Sequence, residues 1–272
     1  MLLGIIGNGF VGSATQILKS DTINTCVYDI DPNRCNPVGT TLEDIVKCDI
    51  IFICVPTPMN EDGSCNLSII ENVISNLKSL CDFNEKLIVL RSTVTPGTAD
   101  NYNTYFMPEF LTEKNYVNDF ITNKNWIFGL KGTEQDIQFK ENIETMINLS
   151  HRSGNIKYNK ITFRTNKEAE MIKLFRNNFL SVKVSFCNEI YDYCKLKEID
   201  YEKVVEIAAA DDRIGLSHTL VPGPDGLRGY GGTCFPKDIS NTLFDMGKNG
   251  MTSYILESSF NRNKELDRKD DL

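Results

Sequence analysis

Short apolar runs alternate with helix-period segments along the first half of the chain. The runs at 2–6 (LLGII), 25–29 (TCVYD), 49–55 (DIIFICV), 86–92 (KLIVLRS), 104–108 (TYFMP) and 125–130 (NWIFGL) read as strands. Helical patterns occupy 10–19, 41–47, 68–80 and 97–103, with another over 133–147 after the last strand. This alternation predicts parallel strands joined by helices, and strands so continuously apolar belong to a sheet covered on both faces. The fold class that follows is α/β: a Rossmann-like, doubly wound, mostly parallel sheet.

The pattern changes near residue 166. NKEAEMIKLFRNNFLSVKVSFCNEIYDYCKL, at 166–196, is one long helical segment with apolar residues almost all round. Such a helix is expected to be buried, between domains or between subunits. Further helices are predicted near 200–210, 236–248 and 252–267, with a Gly/Pro-rich loop over 215–234. The chain therefore divides into a dinucleotide-binding domain (1–165), a long connecting helix (166–197) and a smaller helical domain (198–272). The ending NRNKELDRKDDL, 261–272, reads as a charged, frayed tail.

Composition narrows the function classes. A net charge of −8 argues against a nucleic-acid binder and against a polybasic membrane-surface protein. Nine cysteines without a CxxC pair or a Cys/His ladder argue against a disulfide framework and a structural zinc site. No metal is expected, and the compartment reads as reducing and cytoplasmic. The opening MLLGIIGNGF has no basic region before it and is interrupted by glycines, unlike a signal peptide; the later run DIIFICV is too short to span a bilayer.

Candidate chemistry lies at both ends. Gly7, Gly9 and Gly12 form G-x-G-x-x-G directly after a strand and before a helix, where the backbone can approach a pyrophosphate. Asp29 closes the second strand, where an acid would accept hydrogen bonds from a ribose diol and repel a 2′-phosphate. NAD is thereby favoured over NADP, although Arg34 lies near; the alternative for Asp29 is a turn residue. Thr57 in VPTP, and Ser92 and Thr93 in RSTVTPG, follow strand ends on the ligand-binding edge of such a sheet, or else cap the next helices.

Near the other end, Cys234 precedes Pro236, a residue suited to a first helical turn, and lies beside Lys237. A helix N-terminus and a lysine both favour a thiolate, and the glycines at 229, 231 and 232 let a ligand approach; the alternative is a buried, inert thiol. Asp238 falls in the first turn, where acids are favoured structurally as well. Lys173 and Asn177 share one helix face and suit an oxyanion, or are a snorkelling lysine and a capping-type asparagine. Glu109 and Glu113 are likewise four apart, able to bind a hydroxyl or water, or simply surface acids.

GNGFVG, VPTP, RSTVTPGT, PEFLTE, AEMIKLFRNNFLSVKVSFCNE, DRIG and GYGGTCFPKD, taken together, resemble the UDP-glucose/GDP-mannose dehydrogenase family over nearly the whole chain. The resemblance implies a four-electron oxidation of a nucleotide sugar's C6 alcohol to a carboxylate with two NAD, UDP-glucose being the leading substrate. It places the nucleophile on Cys234, oxyanion stabilisation on Lys173 and Asn177, proton transfer on Asp238, and Thr93 and Glu113 near the catalytic water. NAD binding then involves Phe10 and Val11 besides the glycines, Asp29, Thr57, Ser92 and Thr93. Substrate binding involves Glu109, Phe110, Leu111, Tyr230 and Gly231 besides Lys173 and Asn177. Arg213 matches a residue that reaches the neighbouring subunit's substrate, implying a homodimer built on the long helix. Typical members continue into a third domain where this chain stops, which leaves two origins open: a naturally compact form, or a chain cut at a domain boundary. The alternatives are another sugar nucleotide (GDP-mannose or a UDP-N-acetylhexosamine), a two-electron β-hydroxyacid dehydrogenase, or a catalytically impaired NAD-binding dimerisation module.

Overall fold

Side chains of the central strands go alternately to two apolar layers. In strands β1 (Leu2–Ile6), β3 (Ile50–Ile53) and β4 (Leu87–Leu90), residues Leu3, Ile5, Ile50, Phe52, Leu87 and Val89 join one core cluster. Their neighbours Ile6, Ile51, Ile53, Ile88 and Leu90 join the other. A strand buried on both faces has no polar side, which is why these segments read as unbroken apolar runs. The computed structural model describes residues 1–269 and divides them into two compact units.

The first unit comprises Met1–Pro58 and Asn66–Lys173. With β2 (Asn24–Tyr28), β5 (Tyr105–Phe106), β6 (Trp126–Leu130) and β7 (Ile161–Thr165), the sheet has seven strands in the order β2-β1-β3-β4-β5-β6-β7. All pairs are parallel except β5 with β6, which meet antiparallel at Phe106 and Gly129. Helices α1 (Phe10–Thr15), α2 (Leu42–Ile45), α3 (Ser68–Leu80), α4 (Thr98–Asn101), α5 (Tyr116–Ile121) and α6 (Gln135–Arg152) connect and cover it. The sequence pattern does not predict β7 or α5. β7 lies at the sheet edge, half-buried over its first three residues and exposed at Arg164 and Thr165, so it lacks the apolar run that marks the other strands.

Helix α7 (Asn166–Leu196) begins directly after β7. Its first residue, Asn166, is fully buried and donates to Asp100 Oδ1 at 2.7 Å and to the Thr104 carbonyl at 2.9 Å. Gly129 makes room for it, since a Cβ there would lie 2.8 Å from the Asn166 Cα. At 1.5 Å per residue α7 runs roughly 45 Å.

The second unit comprises Met59–Cys65 and the chain from Leu174 onward. Besides α7 it holds α8 (Tyr201–Ala208), α9 (Phe235–Lys248) and α10 (Ile255–Arg262), the last continued by a π-helical turn, Asn263–Asp267. Two small cores form, one of Cys187, Cys194, Tyr201 and Val221, the other of Val184, Tyr230 and Ile239. The all-round apolarity of α7 is only partly used: Phe175, Phe179, Phe186, Tyr193 and Leu196, spaced to share one face, are all more than half exposed.

The frayed ending expected over 261–272 is overturned for its described part. Asn263 and Arg268 are buried, and Arg262 and Asp267 pair at 3.0 Å. Residues 270–272 of that expectation lie outside those described. Among the described residues no helix is long and apolar enough to cross a membrane.

Candidate active site

The glycine turn after β1 is built from three glycines with different tasks. Gly7 has φ +90°, and a Cβ there would meet the Cys54 carbonyl oxygen at 2.8 Å. At Gly12 a Cβ would overlap the Gly7 carbonyl oxygen, so the first turn of α1 closes on the strand only with glycine. Gly9 has no atom within 4 Å of the Cβ position, which leaves open space beside the turn. Two glycines thus serve the chain's own packing, and the third leaves the cradle that a dinucleotide backbone fits. Phe10 and Val11, which open α1, are both half-buried.

Asp29 is half-buried at the end of β2. It accepts the Asn8 N–H on Oδ2 at 2.6 Å and the Asp31 N–H on Oδ1 at 3.0 Å. It therefore shapes its own turn and the glycine loop, with further lone pairs left for a diol. Arg34 is exposed. Thr57 donates to the Thr93 carbonyl at 2.9 Å, and Ser92 to the Val55 carbonyl at 2.5 Å. These hydroxyls tie the loops after β3 and β4 together, and neither makes the helix cap considered above.

Lys173 does not snorkel. It is 3% exposed, its Nζ lies 2.6 Å from Glu109 Oε1, and the Phe110 ring centroid is 5.9 Å away. Burial acts to raise the Glu109 carboxyl; the Lys173 ammonium, the Leu111 N–H at 2.9 Å and Arg91 outweigh it and hold the group below its ordinary value. Glu109 is thus a buried, ionised partner of Lys173, whereas Glu113, on the same loop, is exposed.

One turn before Lys173, Glu170 is fully buried and accepts the N–H groups of Gly97 at 2.5 Å and Ala99 at 2.7 Å. Burial pushes its carboxyl up to about 7, against the opposing pull of those two bonds. The helix that presents Lys173 is thereby fastened to the segment that follows Ser92 and Thr93. Sequence reasoning missed Glu170; its only signal is an acid three residues before Lys173 on an apolar helix.

In the second unit Cys234 is the residue before α9, half-buried, with Pro236 in the first turn. Asp238 is 1% exposed, accepts from Asn177 Nδ2 on Oδ2 at 2.6 Å, and pairs through Oδ1 with Lys237 Nζ at 2.9 Å. The structure therefore brings together Asn177, Lys237 and Asp238, with the Asp238 N–H donating to the Cys234 carbonyl at 2.9 Å. All nine cysteines are thiols.

Of the approach glycines, Gly229 and Gly231 serve the chain's own packing. A Cβ at Gly229 would meet the Asn263 amide, and one at Gly231 the Arg268 guanidinium; only Gly232 faces open space. Tyr230, between them, is buried. Arg213 is exposed and forks onto the Asp211 carboxylate. Its loop is fixed by the Lys183 ammonium, which donates to the carbonyls of Ile214 and Gly215 at 2.9 Å and of Ser217 at 2.5 Å.

The segment Met59–Cys65, just after VPTP, also belongs to this unit. Ser240 on α9 donates to the Gly63 carbonyl at 3.2 Å, and Asn241 Oδ1 accepts the Cys65 N–H at 3.2 Å. No short-range pattern signals that attachment. Among the described residues no group of three or more His, Cys, Asp or Glu is placed to hold a metal.

Comparison with known proteins bears on both units. The UDP-glucose/GDP-mannose dehydrogenase family's NAD binding domain matches residues 37–148, and its central domain matches residues 167–265. A UDP-glucose 6-dehydrogenase of Pseudomonas aeruginosa is 30% identical, over 87% of this chain and 54% of its own. One of Haloferax volcanii is also 30% identical, over 97% of this chain and 69% of its own. The chain thus spans from about half to about two thirds of these relatives' length. Among solved structures, a UDP-glucose dehydrogenase of Pyrobaculum islandicum shares the fold with a TM-score of 0.80 at 24% identity, over 97% of this chain and 68% of that one.

Proposed function

Because the chain belongs to the UDP-glucose/GDP-mannose dehydrogenase family, we propose that it serves the NAD-dependent oxidation of a nucleotide sugar's C6 alcohol to the carboxylate, with UDP-glucose as substrate. The observation that carries this reading is the buried Asp238, gripped by Asn177 and Lys237 one turn after a thiol at a helix entrance. Removing either partner would leave a buried polar group uncompensated, so the contacts hold Asp238 firmly in place.

In the proposed sequence the alcohol first loses a hydride and a proton, giving an aldehyde. The Cys234 thiolate adds to the aldehyde carbon, and the resulting alkoxide takes a proton to form a thiohemiacetal. Loss of a second hydride and proton gives a thioester on Sγ. Water attacks its carbonyl and loses a proton, and the C–S bond breaks with the Cys234 thiolate as leaving group. The acid so formed gives up its own proton and departs as the carboxylate. NAD, when bound, supplies the acceptor for one hydride in each oxidation. Gly7, Gly9, Phe10, Val11, Gly12, Asp29, Thr57, Ser92 and Thr93 would hold it.

Lys173 and Asn177, one turn apart on α7, are the donors proposed for the oxyanion. Asp238 exchanges protons with the reacting oxygen, and Thr93 and Glu113 orient the water. Glu109 holds Lys173 in place through their 2.6 Å pair, and with Phe110, Leu111, Tyr230 and Gly231 contributes to the sugar-nucleotide site. The exposed aromatic stripe of α7 supports a homodimer, in which Arg213 serves the partner's substrate.

Replacing Cys234 by Ser tests the reading. The variant should bind NAD normally and form no sugar acid, while the wild type accumulates a sugar-bearing Cys234 peptide on rapid acid quench. Unchanged acid yield in the variant removes Cys234 from the mechanism.

A further inference from the structure

The segment from Arg228 to Cys234 has neither helix nor strand to satisfy its backbone, so its position depends on what binds its N–H and C=O groups. Two buried amides do this at successive residues. Asn188, on α7, accepts the Gly229 N–H on Oδ1 at 3.2 Å and returns its own Nδ2 to the Val184 carbonyl at 2.9 Å. Asn263, in the π-helical turn, accepts the Tyr230 N–H at 2.8 Å and donates to the Tyr230 carbonyl at 2.9 Å. Each asparagine is 1% exposed.

The Asn263 pair is what a neighbouring β-strand would offer a single residue, here supplied by one side chain. Gly229 makes it possible. With φ +64° and a Cβ position already taken by the Asn263 amide and, at 2.9 Å, by the Asp267 Cβ, no other residue fits. Beyond Cys234 the chain is held again, by Asn177 on Asp238. Asn177 and Asn188 are eleven residues apart, about three turns, and so lie on one face of α7.

We propose that Asn188 and Asn263 are positioning residues that fix the Cys234 loop from its upstream side, so that the thiol is held between buried amides on both flanks. The inference rests on reading Cys234 as the nucleophile, but not on which sugar is oxidised. Neither amide needs to touch substrate. A displacement of about 1 Å at a reacting atom is enough to cost roughly 100-fold in rate.

The test uses the full chain and the variants Asn188→Ala, Asn263→Ala, Asn188→Asp and Asn263→Asp. Two quantities are read. One is the iodoacetamide alkylation rate of each cysteine across pH, by peptide mass spectrometry; the other is kcat and KM with UDP-glucose. Both alanine variants should change the rate and pH profile at Cys234 alone among the nine cysteines and lower kcat roughly 10-fold or more, with NAD affinity unchanged. The aspartates keep the acceptor for the loop N–H but lose the donor, and should fall between. They decide the matter if an alanine variant fails to fold. Wild-type alkylation at Cys234 in the folded variants overturns the proposal. Alkylation that responds in a protein turning over no sugar nucleotide retains the positioning role and rejects the oxidation instead.

Discussion

Asn177 and Asp238 are 61 positions apart in the chain, yet the amide of one donates to the carboxylate of the other at 2.6 Å inside the second unit. The contact fixes the first turn of α9 to α7, and with it the residue at which the helix begins.

Removing the amide in Asn177→Ala leaves half of a buried carboxylate without its donor. We expect a loss of about 1–3 kcal/mol in urea denaturation at neutral pH. Asn177→Asp should lose more, because it sets two carboxylates side by side. Equal stability of Asn177→Asp and wild type would show that Asp238 is not held by this bond.

Glu109→Gln removes the carboxylate charge that lies 2.6 Å from the buried Lys173 Nζ and should cost about 3–5 kcal/mol. The double variant Glu109→Gln/Lys173→Met removes both charges and should recover much of that stability while remaining inactive. Denaturant melts of the two singles and the double measure the coupling; purely additive losses would mean that the 2.6 Å pair contributes nothing specific.

Asp29 both shapes its loop and is the proposed ribose acceptor, and two substitutions separate the roles. Asp29→Asn keeps an acceptor oxygen but loses the charge, and should weaken NAD binding roughly 10-fold. Asp29→Ala also frees the Asn8 N–H and should weaken it further. Calorimetric titration with NAD checks both, and unaltered affinity in Asp29→Ala would remove the ribose role.

Much of the first unit was legible because its strands are buried on both faces and its glycines sit where the backbone has no other choice, as at Gly7 and Gly12. The edge strand β7 was not, since a strand with no buried residue carries no continuous apolar signal. Cys234 could be placed before a helix because Pro236 marks the first turn. What surrounds it could not. Asn188, Asn263, Ser240 and Asn241 are buried polar residues whose partners are 33 to 177 positions away, and no periodicity encodes such pairings. The ending failed for the same reason: a run of charges looks solvated until Asp192 and Asp225 are seen to receive Arg262 and Arg268.

Glu170 should make stability depend on pH. Its folded-state value of about 7 lies above the ordinary 4.5, so the native state holds a proton that the unfolded chain releases. Stability from this group is fully present below about 4.5 and lost as pH rises through about 7, up to roughly 3 kcal/mol for a shift of this size. Asp100 strengthens the shift and Lys167 opposes it. Glu170→Gln should flatten the stability profile between pH 5 and 7.5 relative to wild type. Parallel profiles would mean that the carboxyl stays ionised.

The most direct measurement is the ratio of NADH formed to sugar consumed, with limiting UDP-glucose and excess NAD. Four-electron oxidation through a Cys234 thioester predicts about two NADH per sugar and UDP-glucuronate as the product. One NADH per sugar, with the aldehyde released, would contradict it.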